Sequence, residues 1–404
     1  MSKNICVIGG GAAGMMAAGS ALEYGATVTI FEQTDRLGKK LAITGKGRCN
    51  VTNDSPTEKL MENITRNPRF LYSAFNAFSS ADTMNFFESL GVPLKTERGN
   101  RVFPVSDKAI DIVNALRRYS SGAKIVYKKV KSVSKNEDGT FLVEADGAYT
   151  FDAVIIATGG KSYPKTGSDG SGYKLAMRLG HTVTPLTPSL IPIESSSPYC
   201  AEMQGLSLKN VAISVKSADG NLLYSDFGEM MFTHFGVTGP MILSASAHLK
   251  EYDISGLTLS IDLKPALDEK ELDNRLLSDF SAASNKDFVN ALSALLPSKM
   301  ILPFIRYTGI PERKKVNSIT KEERRKIRDA LKSFTISLTR LRPIDEAIIT
   351  SGGIQTKEIS PKTMESRLHS GLYFAGEIID VDGGCGGFNL QWAWASGMLA
   401  GEVK

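Results

Sequence analysis

Two short stretches hold the residue types that do chemistry. GGGAAG (9–14) satisfies G-x-G-x-x-G through Gly9, Gly11 and Gly14. In that spacing the first glycine allows a tight turn, the second lets a pyrophosphate approach bare backbone, and the third lets a helix pack closely on a strand. The diphosphate then rests at a helix N-terminus, where unpaired N–H groups and the helix dipole favour negative charge. Glu32 follows at the end of the next strand-like run. A carboxylate there accepts hydrogen bonds from both ribose hydroxyls of an adenosine and repels a 2′-phosphate. The second stretch, ITGKGRCNVTN (43–53), is too glycine-rich for a helix and too polar for a core strand, yet it holds two cations, a thiol, two amides and two hydroxyls.

Two further glycine clusters decide which dinucleotide is meant. ATGG (157–160) ends a strand after a run of alternating polarity, and GE (376–377) ends a late strand before the last helix. A nicotinamide dehydrogenase has no need to return its C-terminal stretch to the first strand. FAD does, because its isoalloxazine lies far from its adenine, so the tightly held nucleotide reads as FAD. ITGKGRCNVTN then reads as a loop flanking the flavin. Gly45 and Gly47 let backbone N–H groups approach, and Arg48 offers planar donors to phosphate or flavin oxygens. Asn50 and Asn53 bond flavin edges or hold the loop's own turns. The glycines of GGCGGFNLQWAWASG (383–397) place the N-terminus of the final helix toward the flavin C2 oxygen, with Phe388, Asn389, Leu390 and Gln391 in its first turn. Trp392 and Trp394 read as packing. Asp380 and Asp382 either line the site or cap its loop.

The elements that must position these residues are legible in outline. NICVIGG (4–10) is a buried parallel strand, AAGMMAAGSALEYG (12–25) a helix closed by Gly25, and ATVTIFEQ (26–33) a second strand, which together make one βαβ unit. Helices are expected near 69–90, closed by Gly91, and over 107–122 with Asp107 as cap. Residues 124–151 alternate around NEDG (136–139) and predict an antiparallel meander. Composition shifts at the Pro/Ser-rich TPLTPSLIPIESSSP (184–198). The expected organisation is an α/β fold with its N-terminal part over 1–190 and its C-terminal part over 342–404. Between them lies an inserted domain over 191–341, β-rich over 191–265 and helical over 266–335.

Composition excludes several classes. The 404 residues carry 48 basic and 43 acidic side chains, and the tightest basic runs, 312–315 and 321–326, have glutamates interleaved, so no nucleic-acid partner is expected. Four scattered cysteines without a CxxC and four scattered histidines predict neither a metal site nor a disulfide framework, which suits a reducing cytoplasm. Cys49 and Cys385 accordingly read as small packing residues rather than a redox pair. The opening residues enter a strand without a leader pattern, and no apolar run reaches the roughly 20 residues that span a bilayer.

The motifs GGGAAGMMAA, GKKLAITGKGRCNVTN, ATGGKSYPKTGSDGSGYKLAMRLGH, GEMMFTHFGVTGP and GLYFAGEIIDVDGGCGGFNLQWAWASG, in this order, make the chain resemble the bacterial flavoproteins typified by BaiN and the YhiN-like proteins, over essentially its whole length. The resemblance implies a Rossmann-like FAD-binding domain of the two-dinucleotide-binding flavoprotein type, interrupted by the insert. On motif and resemblance together, the expected FAD set comprises Gly9, Gly11, Ala12, Ala13 and Gly14, then Glu32, Gln33 and Lys40. It continues with Gly45, Gly47, Arg48, Cys49 and Asn50, with Val130, Thr158, Gly159 and Gly160, and with Gly376, Glu377, Asn389, Leu390 and Gln391. The family usually has a glycine where this chain has Lys46; a positive φ there would strain lysine.

What this implies for activity is an FAD-dependent oxidoreductase acting on a small molecule. NAD(P)H would deliver hydride to flavin N5, and N5 would pass it to an unsaturated or carbonyl substrate. No second G-x-G-x-x-G marks a stable nicotinamide site, so the reductant is expected to bind transiently. The alternatives are a flavin amine oxidase of the aminoacetone-oxidase kind and a non-catalytic flavin-binding or RNA-modification accessory. His234 and Tyr163 are the placeable proton donors, each with a structural role as its competing reading.

Overall fold

Asn4–Ile8 is apolar on both faces, as a strand covered by helices on each side must be. It lies at the centre of a five-stranded parallel sheet ordered Leu372–Phe374, Ala153–Ile156, Asn4–Ile8, Thr27–Phe31 and Lys124–Val126. The computed structural model describes residues 2–403 and divides into two units. One unit runs to Ser189 and resumes at Pro343, and the other is Leu190–Arg342.

In the first unit, the first helix (Ala12–Glu23) and the last (Phe388–Gly401) pack in parallel with almost nothing between them. A Cβ on Gly397 would stand 2.6 Å from the Ala13 carbonyl oxygen, and one on Gly401 would stand 2.5 Å from that of Ala17. The contact advances four residues on each helix, so both run the same way. Ser20 Oγ ties the far end by donating to the Met398 carbonyl at 2.9 Å. The last helix is buried on nearly every side and has no polar face to show solvent.

Two details depart from expectation. Lys124–Val126 pairs in parallel with Thr29–Phe31 as the sheet's edge, and the antiparallel meander starts only at Ser132. The break lies in residues 127–131, where only Val130 is buried and no strand forms. Asp107 does not cap the helix Ala109–Tyr119. It sits at φ +57, Lys108 takes the cap position without a side-chain bond, and the Asp107 carboxylate turns to Arg48 and Lys95. The helices expected near 69–90 are Tyr72–Ala77 and Ser80–Ser89, the latter started by a capping box of Ser79 and Asp82.

The second unit is a closed antiparallel barrel in the order Ile193–Ser195, Gly236–Thr238, Leu222–Thr233, Ser207–Lys216, Thr258–Asp262 and Phe334–Leu341. Helices Glu269–Ala282, Ser298–Thr308 and Lys321–Lys332 interrupt it before its closing strand. The first and third of these start at capping boxes, at Asp268 and Thr320. Among the described residues no helix is long and apolar enough to cross a membrane.

His181 joins three segments of the first unit. Its Nδ1 meets Glu358 Oε2 at 3.0 Å and its Nε2 meets Ser366 Oγ at 2.9 Å. Ser366 Oγ already accepts from the Leu368 and His369 N–H groups, so its proton goes to Nε2 and Nδ1–H donates to Glu358. Burial holds the imidazole below its ordinary pKa, against the pull of Glu358. The unfolded chain therefore takes up a proton at about pH 6.5 that the folded chain refuses, and stability falls as pH drops below that value. Urea midpoints are expected to decrease from pH 7 to pH 5. His181→Gln should flatten that decrease while lowering the midpoint at pH 7; an unaltered slope would refute the assignment.

Candidate cofactor site

The three glycines of the first turn do three different things. Gly9 lies at φ +106, and a Cβ there would stand 2.5 Å from the Ala157 carbonyl oxygen. Gly14 brings the helix onto the strand, since its Cβ would stand 1.8 Å from Gly9 O. Gly11 caps the helix, and a Cβ there would meet nothing within 4 Å. Space is thus left open at the helix N-terminus, where N–H groups have no intrahelical partner. Ala12 begins the helix, and Ala13 is buried where it meets Gly376, whose Cβ would approach it to 2.8 Å.

Glu32 is buried at the end of its strand. Oε2 accepts from Gly10 N–H at 2.8 Å and Oε1 from Thr34 N–H at 2.7 Å, so each oxygen keeps a lone pair for a further donor. Next to it, Gln33 Nε2 donates to Gly167 O at 2.5 Å and fastens the loop after residue 160 to this edge. Val130 is buried in the core of the unit.

A second knot surrounds Gly159 and Gly160. Lys40 Nζ donates to Glu377 Oε2 and to Ser162 Oγ, both at 2.7 Å. Glu377 Oε1 accepts from Ser162 Oγ at 3.1 Å and from Thr350 N–H at 2.8 Å. Lys40 and Glu377, expected to face the cofactor, thus face each other and bind three chain segments together. Thr158 Oγ1 and Ser168 Oγ beside this knot are buried without a hydrogen-bond partner.

The loop of residues 43–53 uses left-handed backbone at Gly45 (φ +56), Lys46 (φ +58), Gly47 (φ +85) and Cys49 (φ +60). Lys46 occupies the conformation its glycine counterpart would adopt freely, at a strain of about 1 kcal/mol. Arg48 differs from expectation. Its Nη2 donates to Glu97 Oε1 at 2.5 Å and to Asp107 Oδ1 at 2.6 Å, Nε donates to Asp107 at 2.9 Å, and the guanidinium lies 4.1 Å over the Phe103 ring. The planar donor fork clamps the loop from outside instead of reaching a phosphate. Burial pushes the Cys49 thiol up to about 12, so it carries no thiolate at neutral pH. Asn50 Oδ1 is buried without a partner.

This loop is docked on the last helix. Thr52 Oγ1 and Thr83 Oγ1 both donate to Gln391 Oε1, at 2.6 and 2.8 Å, and Gln391 Nε2 donates to Phe78 O at 2.8 Å. Trp394 Nε1 donates to Val51 O at 2.8 Å. Gln391 is therefore a structural anchor, with its backbone N–H also taken by Gly387 O. Asn389 likewise exchanges two bonds with the backbone of Gly383, leaving only main-chain N–H groups, including that of Leu390, at the helix tip. Asp380 pairs with Arg66, and buried Asp382 accepts from Ser189, Ser351 and Thr65, so both carboxylates brace the loop. The helix contacts set the separation of the two N-termini. Gly397 lies level with Ala13, so the last helix extends eight residues past the start of the first. At about 1.5 Å of rise per residue that is roughly 12 Å.

The residues present fit an FAD. Room exists over Gly11, a doubly available carboxylate stands at Glu32, and Thr158, Ser168 and Asn50 each hold a buried side-chain oxygen without a hydrogen-bond partner. His234 is exposed on the barrel beside Phe235, whereas Tyr163 is exposed in the first unit at φ +53, so the two proton-donor candidates fall in different units. Sequence reasoning missed Glu97, Lys95, Thr52 and Thr83. The one available signal was that each lies in a strand or capped helix beside a glycine-rich loop.

Fold and site define a flavoprotein of the two-dinucleotide-binding type, an FAD-dependent oxidoreductase. The chain belongs to the family described as HI0933-like protein Rossmann domain, whose model matches residues 3–403. It is 32% identical to a 3-dehydro-bile acid delta(4,6)-reductase of Clostridium scindens, over 99% of this chain and 98% of that protein. It is 31% identical to a ribosomal RNA dihydrouridine synthase of Escherichia coli, over 96% and 95%. Among solved structures, 3-ketosteroid-delta4-(5alpha)-dehydrogenase from Rhodococcus jostii shares the fold with a TM-score of 0.52 at 14% identity, over 99% of this chain and 96% of that one.

Two glycine variants separate fold from ligand. Gly14→Ala is expected to destabilise the protein by about 1–3 kcal/mol through overpacking. Gly11→Ala should melt within about 2 °C of the parent when flavin-free, yet retain at least tenfold less FAD after purification. Equal FAD retention would show that no phosphate lies there. Alkylation of the native protein by iodoacetamide at about pH 8 should mark Cys385 alone, because burial raises the thiols of Cys6, Cys49 and Cys200. Peptide mapping reads the result, and label on Cys49 would reopen its redox role.

Proposed function

We propose that the protein is an NAD(P)H-dependent reductase of a carbon–carbon double bond conjugated to a carbonyl. The observation that carries this reading is the tip of the last helix, whose first-turn N–H groups stand free of side-chain ligands and beyond the start of the first helix. Such a tip stabilises an oxyanion or a ring that gains negative charge on reduction. When bound, FAD supplies hydride transfer between nicotinamide and substrate.

The chain's own residues supply placement. Gly11 and the first helix receive the pyrophosphate, Glu32 the adenosine ribose, and Asn50 and the N–H groups of residues 388–390 the ring. The Lys40–Glu377 pair and the Arg48 clamp keep these loops from moving apart. The names of the two curated relatives support the substrate class. Reduction of a dienone and of uridine to dihydrouridine both add two hydrogens to a double bond in conjugation with a carbonyl.

Anaerobic titration of the purified yellow protein tests the reading. NADPH or NADH should bleach the flavin with one equivalent, and 2-cyclohexenone or a 3-oxo-4-ene steroid should restore the colour. If neither nicotinamide bleaches the flavin and aminoacetone does, the protein is an amine oxidase.

A further inference from the structure

Ser168 is 4% exposed, and its hydroxyl has no hydrogen-bond partner. An apolar side chain of the same size would spare the fold the cost of a buried, unbonded hydroxyl. The loop that carries it is fastened on three sides. Gln33 Nε2 donates to Gly167 O at 2.5 Å, Lys129 Nζ meets Asp169 Oδ2 at 2.6 Å, and Gly170 N–H donates to Gly160 O at 3.1 Å. Asp169 Oδ1 also accepts from Ser171 N–H at 2.9 Å. Ser168 is thus held inward between the end of the second strand and the glycine turn after Ile156.

Its surroundings show what it faces. A Cβ on Gly159 would stand 3.0 Å from Ser168 Oγ, and one on Gly167 would stand 3.5 Å from Glu32 Oε1. Glu32 Oε2 is turned the other way, toward Gly10 N–H. A dinucleotide with its pyrophosphate over Gly11 and its ribose at Glu32 presents its base beyond that carboxylate, on the side of Gly167 and Ser168. The tie from Lys129 to Asp169 brings buried Val130 to the same side. A phosphate is disfavoured at Ser168, because the adjoining residue is the carboxylate of Asp169 and Lys129 is already paired with it. Thr158 Oγ1 is the other unpartnered hydroxyl nearby, but a Cβ on Gly172 would stand 1.9 Å from it, so it faces the helix Ser171–Arg178 instead.

We propose that the Ser168 hydroxyl bonds the edge of the adenine ring of FAD and selects adenine over other bases. A hydroxyl both donates and accepts, so it suits a ring whose edge carries an amino group beside acceptor nitrogens. A buried group built to bond a ligand rejects an analogue that leaves it unpaired. The assignment rests on the placement of pyrophosphate at Gly11 and ribose at Glu32 in the proposed function, and is independent of what the flavin reduces.

The purified flavoprotein is stripped of FAD, and refilling with FAD confirms that the stripped chain stays folded. It is then titrated calorimetrically with FAD, ADP and CDP, the two diphosphates sharing ribose and phosphates but not the base. The parent is expected to bind ADP about tenfold more tightly than CDP. Ser168→Ala should lose roughly tenfold in affinity for ADP and FAD while keeping its affinity for CDP. Flavin-free, Ser168→Ala should melt no lower than the parent, because the hydroxyl removed was unbonded. No preference for ADP in the parent, equal losses for ADP and CDP in the variant, or a lowered melting temperature with the preference intact would each overturn the proposal. Glu32→Gln reads the ribose separately and should weaken ADP and CDP alike. If Ser168→Ala abolishes the preference while Glu32→Gln changes nothing, the ribose placement fails and the base contact stands; the reverse result removes the base contact alone.

Discussion

The first unit depends on one contact, the parallel packing of Ala12–Glu23 against Phe388–Gly401 through Gly397 and Gly401. Any side chain at either glycine would meet carbonyl oxygens of the first helix, and the axes would have to separate. At native packing density such a shift cannot be absorbed locally. Because the helices are parallel, their positive ends point the same way, and because they are offset, those ends stand apart. The chain thus has two anion-favouring tips at a fixed spacing, one made by its beginning and one by its end.

Around these tips the side chains hold the backbone, and the backbone holds the ligand. Gln391, Asn389, Arg48 and the Lys40–Glu377 pair all spend their hydrogen bonds on other protein groups. A half-buried ion pair of this sort contributes little net stability, because desolvation offsets the attraction. Its value is geometric, since it specifies one arrangement of three loops around Gly159 and Gly160. Glycine-rich loops lose more conformational entropy on ordering than others. A cofactor that needs bare N–H groups therefore requires polar side chains nearby to keep such loops in place.

That division of labour explains which site residues were legible. The first-turn glycines and Glu32 are recognisable because each has one steric or electrostatic task that few other residues perform. The side chains of Arg48, Asn389 and Gln391 were expected at the cofactor and bond protein groups, since a planar amide or guanidinium beside a glycine loop suits ligand and loop equally well. Their partners, Glu97, Asp107, Gly383, Thr52 and Thr83, come from elsewhere in the chain. Asp107 was misplaced for the same reason: its type suits a helix cap, but two cations from other elements compete for it and win.

The sequence by itself determined the buried strands, the glycine turn with its acidic companion, and the break in composition near residue 190, all of which follow from local periodicity and backbone sterics. Tertiary structure alone decided that the last helix lies parallel to the first with a set offset, and that a barrel closes after its helices. Each of those outcomes is a contact between residues distant in the chain. Contacts of that kind are selected by packing and charge in three dimensions, where neighbouring residue types carry no record of them.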